Sequence, residues 1–152
     1  VGRVGAAQFF CTRDGGGPDT SKCLRAQARW RDYQRSSVFV DSMMVELEGI
    51  YGDLGLSHDD KVSRREIIFT QALTRFDNEI APTFESVTFR GFRETSLNNA
   101  TLLSRIRYYH RLPDFARMLE ERGGDLAGLL AELRTTKDTV SDPFDLLPEG
   151  TP

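Results

Sequence analysis

Two adjacent amides, Asn98 and Asn99, stand near the start of the stretch SLNNATLLSRIRYYHRLPDF (96–115), and two adjacent phenols, Tyr108 and Tyr109, stand near its end. If the stretch is helical, a rise of roughly 1.5 Å per residue places Asn99 and Tyr109 about 15 Å apart along one axis. Asparagine bonds to nearby backbone in non-helical conformations and is a poor helix former, so an amide pair at a helix entrance has another role. Capping is one such role and holding a ligand is the other. Ser96 is itself a helix-start signal, able to accept from the first free backbone N–H groups of the helix.

Other groups capable of chemistry are sparse. The two histidines, His58 and His110, lie far apart, and neither has a partner at a metal-ligand spacing. No H-E-x-x-H, C-x-x-C or nucleophile-elbow pattern occurs. His58 belongs to a helix start after Ser57, and His110 sits among arginines near a helix C-terminus, where a cationic ring is favoured. The acidic pairs Asp59-Asp60 and Glu120-Glu121, and Glu46 with Glu48, read as capping or solvated residues. Nothing here assembles a self-sufficient active site.

The elements that must position these residues are helices. The 152 residues suit one domain, and a chain of this size buries about 68–70% of its unfolded surface without metals or cross-links. Hydrophobic content of 39% and charged content of 28% are those of an ordinary globular protein. A net charge of −3 with arginines and acids interspersed offers no basic face, which argues against a nucleic-acid partner. No apolar run approaches the roughly 18–20 residues of a membrane span. The opening VGRVGAAQFF reads as the middle of a helix with no cap before it, so the expectation is a sequence that begins inside a larger protein.

A first helix over 1–13 should end at Asp14-Gly-Gly-Gly-Pro18. Cys11 and Cys23 flank that turn. They are either bridged, which would stabilise by about 3 kcal/mol, or buried as small apolar thiols. Apolar residues from Leu24 through Val38, Phe39, Met43, Leu47 and Tyr51 at alternating spacings of three and four predict one long amphipathic helix, with Ser36-Ser37 the place for a bend. Its arginines, Arg25, Arg29, Arg31 and Arg35, read as a solvated face. Ser57 to Asp60 resembles a capping box for a helix running to about Ile80. Pro82 stops it, and residues 82–95, rich in phenylalanine, read as an irregular segment or one short strand pressed onto the helices. Helices over Leu97–Arg111, Asp114–Arg122 and Leu126–Thr136 complete the series. The prediction is a single all-α domain, 1–136, of about five to six helices with one long central helix, and an extended tail, 137–152.

Four blocks resemble, in the same order, a bacterial family of putative zinc aminopeptidases. They are ARWRDYQRSSVFVDSMMVELEGIYG (28–52) with its Leu-x-x-Ile-Tyr ending; Lys61, Arg64 and Ile68-Phe69; LNNATLL (97–103) followed by Tyr108, Pro113 and Phe115; and ERGGDLAGLLAELR (121–134). The resemblance implies a metallopeptidase in which a zinc-bound water attacks a peptide carbonyl, the zinc ligands lying ahead of Val1 and outside this chain. VGRVGAAQFF resembles the continuation of the second metal-bearing helix, although Gly2 and Val4 stand where acidic residues would be expected.

By position in that pattern, Tyr108 is the candidate oxyanion donor, and Asn98 or Asn99 would hold substrate backbone or amine. Their plainer roles are a core aromatic for Tyr108 and helix capping for the asparagines. The chain itself would bind no metal, would form one wall of the peptide cleft, and would be inactive without its N-terminal catalytic portion. A periplasmic or lipoprotein-anchored location is implied by the same resemblance. The alternative is a non-catalytic helical module whose groove accepts a peptide or partner helix.

Overall fold

The computed structural model describes residues 2–12, 17–86 and 89–148, and among these no strand occurs. The protein is all-α. The α-helices among the described residues are α1 (Gly2–Thr12), α2 (Ser21–Gly52), α3 (His58–Arg75), the short α4 (Arg90–Glu94), α5 (Asn99–Tyr109), α6 (Leu112–Glu120) and α7 (Leu126–Thr136). α2 is unbroken through Ser36 and Ser37, both buried, and its 32 residues span about 48 Å. Most of the glycine turn expected at 14–18 lies outside the described residues. Thr20 caps α2, its hydroxyl accepting from the backbone N–H of Cys23 at 3.3 Å.

The chain packs as two compact units. The first joins Val1–Ala26 to Arg111–Pro152, and the second is Gln27–His110.

In the second unit α2 and α3 face each other through Phe39, Val40, Met43, Leu47, Ile68, Phe69 and Ala72, all buried. Ser57 caps α3 as its sequence indicates, accepting from the N–H of Asp60 at 3.2 Å and donating to the Asp60 carboxylate at 2.6 Å. α3 continues into one π-helical turn, Phe76–Ile80, and a 3-10 turn, Ala81–Thr83, in which Pro82 supplies no N–H. Within the phenylalanine-rich segment, α4 places Phe92 against Phe76, rings stacked at 4.3 Å, with Phe39 at 5.4 Å from Phe92. Val38, expected in the apolar stripe of α2, is instead 58% exposed, because the buried set turns about Phe39, Met43 and Leu47.

α5 starts later than Leu97. Its cap is Asn98 and not Ser96. The side chain of Asn98 accepts from the N–H of Thr101 at 3.0 Å, and the Thr101 hydroxyl accepts from the N–H of Asn98 at 2.9 Å, a reciprocal capping box that Ser96 cannot form. Leu102 is buried, and Ile106 packs beside the same core.

In the first unit α6 and α7 are joined by a turn in which Gly123 and Gly124 have φ of 63° and 82°, a conformation glycine adopts without steric cost. Asp125 caps α7, accepting from the N–H of Gly128 at 2.9 Å. Met118, Leu119, Leu129 and Leu147 form the core, with Val4 of α1 beside them. The segment after α7 is fastened by arginines: Arg111 donates to the carbonyls of Phe144 (2.9 Å) and Pro148 (2.7 Å), while its Nε pairs with buried Asp114 at 2.6 Å. A disulfide joins Cys11 to Cys23, tying α1 to the first turn of α2.

Candidate functional site

In the second unit, α2 and α5 run antiparallel and are pinned at both ends. Nδ1 of His110 lies 2.8 Å from the Asp41 carboxylate, and ten residues further along α2 the Tyr51 hydroxyl accepts from Nδ2 of Asn99 at 2.8 Å. The interval on α5 is eleven residues, so the two helices stay in step over about 15 Å.

At the Tyr51 end a corner gathers three elements. Asn99 is the first residue of α5, and Tyr51 lies on the last turn of α2. Lys61, on the first turns of α3, donates from Nζ to the Tyr51 carbonyl at 2.8 Å. Arg65, one turn on, is bonded through Nε and a terminal nitrogen to Glu66 at 2.9 and 2.6 Å. Its pKa is raised above the ordinary arginine value first by that Glu66 bond, against slight desolvation, and further by its contact with the Tyr51 phenol. Tyr51, Lys61 and Asn99 come from three of the sequence blocks that carry the resemblance, those over 28–52, opening at Lys61 and over 97–103. Folding brings the three to one place.

The predicted site residues do not all converge. Asn98 is exposed, and its carbonyl oxygen is engaged in the α5 cap, a role worth about 1 kcal/mol. Asn99 is half-buried in the corner. Tyr108, 65% exposed, lies nine residues beyond Asn99 on the same helix. Nine residues advance the chain about 13.5 Å and turn it about half a revolution, so Tyr108 and Asn99 look out from opposite faces of α5. Tyr51 is the residue that sequence reasoning missed. Read as one more position in an apolar stripe, it signalled nothing apart from ending its block.

At the other end, Asp41 stands between Ser37 (3.4 Å) and His110. Ser37 is fully buried, out of reach of a substrate, so the trio does not serve as a nucleophile relay. Nearby, Arg105 lies 4.5 Å over the Phe92 ring, and burial lowers its pKa from the ordinary arginine value.

Among the described residues the metal donors do not gather into a zinc site. His58 opens α3 on the surface, His110 is held by Asp41, and the two cysteines are bonded to each other. Among the described residues no three His, Cys, Asp or Glu side chains gather closely enough to hold a metal ion. Nor is any helix among them long and apolar enough to cross a membrane.

A family model described as "Putative aminopeptidase" matches residues 1–142. No curated protein and no solved structure matches the chain.

Proposed function

Because the chain belongs to the putative aminopeptidase family, we propose that it is the C-terminal helical part of a zinc-dependent aminopeptidase and forms one wall of the cleft that receives the peptide. The zinc ligands of the working enzyme come from polypeptide outside the described residues. The observation that carries the reading is the meeting of Tyr51, Lys61 and Asn99, each from a separate family-like block, at a single exposed corner. Asn99 offers a substrate its amide there, with Asn98 next to it, while Tyr108, exposed on the opposite face of α5, is the donor for a carbonyl oxygen presented on that side by the rest of the enzyme.

An aminopeptidase assay on aminoacyl anilides tests this. Residues 1–152 alone turn nothing over with or without zinc, while a protein joining this chain to a metal-bearing N-terminal portion is active and loses activity to chelators. Metal-dependent turnover by residues 1–152 alone overturns the placing of the reactive centre.

A second reading, a non-catalytic module that receives a peptide or partner helix, is favoured by Val38 and Val45, exposed at 58% and 63% and seven residues apart on one face of α2. Tight helix binding abolished by Val45→Asp, in a protein without peptidase activity, would decide for it.

A further inference from the structure

We propose that the corner formed by Tyr51, Lys61, Arg65 and Asn99 is a carboxylate-binding subsite that holds a peptide substrate by an acidic group. It rests on the peptidase reading only in taking a peptide as the carrier.

The reasoning is a count of donors and acceptors. The Tyr51 oxygen accepts from Nδ2 of Asn99 at 2.8 Å, and Arg65 stands one turn beyond Lys61 on α3. A phenol carries one proton of its own beside its acceptor sites, so an oxygen already supplied by a donor still has its O–H to place. The acceptor nearest that proton is Oδ1 of the same asparagine at 3.2 Å, and one amide cannot serve a single oxygen well with both ends. Lys61 has three ammonium protons, of which one is bonded to the Tyr51 carbonyl. Arg65 has five N–H groups and pairs with one carboxylate, Glu66.

The corner therefore has more donors than acceptors and more positive than negative charge. Its fitting ligand accepts hydrogen bonds only and is anionic. A carboxylate meets both conditions, whereas a protonated amine meets neither. Tyr51 is 40% exposed, which leaves the site open to such a group.

In a peptide the carboxylate is the C-terminus or an acidic side chain. The test titrates the 152-residue chain with trialanine as the free acid, with its C-terminal amide, and with an amidated tripeptide containing one glutamate. Proton–nitrogen NMR follows the side-chain amide of Asn99 and Nε of Arg65. The free acid shifts both signals and the uncharged trialanine amide does not. An equal response to the glutamate peptide identifies a site for any carboxylate, and its absence identifies one for the C-terminus.

Tyr51→Phe and Lys61→Met, which keep the ring and the aliphatic stem, each weaken binding at least about tenfold while the rest of the spectrum stays folded. Equal response to acid and amide, no response to any of the three, or unchanged affinity in both variants overturns the subsite. Binding is read here without turnover, so carboxylate binding by this chain, together with no peptidase activity in a protein joining it to a metal-bearing N-terminal portion, refutes the enzyme reading and leaves the subsite standing.

Discussion

The carboxylate of Asp32, fully buried on α2, accepts the backbone N–H of Ser86 at 2.7 Å from a residue 54 positions further along the chain. The N–H of Glu85 (2.8 Å) and the Ser86 hydroxyl (2.9 Å) converge on the same group, and Arg35 reaches it at 3.2 Å. One acidic side chain thus satisfies backbone donors that turn structure alone does not, and it fixes where the phenylalanine-rich segment meets α2. Asp32→Ala strands two N–H groups, at about 1–3 kcal/mol each, and lowers unfolding free energy by roughly 3 kcal/mol in urea titrations. Asp32→Asn also destabilises, because its NH2 end opposes a donor. Wild-type stability in both variants would mean that the segment is held by its aromatic rings alone.

Glu85 sits on the outer side of this junction, bridged to Arg31 at 2.5 Å and to Arg35 at 2.8 Å. Those hydrogen bonds, Arg31 first and Arg35 second, lower its carboxyl pKa from 4.5 to about 2. A depressed folded-state pKa means that the bridge stabilises fully above the unfolded value and that this contribution fades as pH falls from about 4.5 through 2. Because the group is on the surface, the effect is screened by salt. Glu85→Gln should flatten the thermal-unfolding midpoint against pH across that window. An identical slope in wild type and variant would remove Glu85 from the acid response.

Where sequence reasoning succeeded and failed has a common physical cause. The helical class, the long α2, the Ser57 box and the Asp125 cap depend on neighbours a few positions apart, and their periodicity or spacing is visible in the chain. Asp32 looks like one more charge in an arginine-rich stretch, since backbone N–H groups more than fifty residues away leave no side-chain signature. Arg31 and Arg35 read as solvated for the same reason, their partner Glu85 being equally distant. Tyr51 has the spacing of a core residue, and only the fold places Asn99 against it. The choice between Ser96 and Asn98 as cap turned on Thr101, whose hydroxyl returns the bond.

The Cys11–Cys23 bridge closes a short loop around the start of α2, and its other support for α1 is modest. Ala7 is buried, Val4 packs on the α6–α7 core, and Gln8 donates to the Gly124 carbonyl at 2.7 Å. Replacing both cysteines by serine should cost about 3 kcal/mol, read as a lower thermal midpoint that a dithiol reductant reproduces in the wild type. Faster hydrogen exchange on reduction should be confined to α1 and its contacts. A midpoint indifferent to both treatments would show that packing alone seats the helix.

Tyr108 supplies the sharpest test of the catalytic assignment. In the working enzyme, Tyr108→Phe should lower kcat at least about tenfold and leave KM nearly unchanged, the signature of a bond made in the transition state. Its exposure means that the substitution disturbs no core. An unaltered kcat would strike Tyr108 from the mechanism.

The division of the first unit between the two ends of the chain sets an order of events on the ribosome. Gln27–His110 emerges as one uninterrupted run, so every residue of the second unit has been made once His110 is added. The first unit must wait, because Met118, Leu119, Leu129 and Leu147 are all translated after that point, and Val4 of α1, made before the second unit, packs on them only once they arrive. Truncation shortly before Leu147 would therefore leave the opening helix without part of its platform while sparing a domain centre already built.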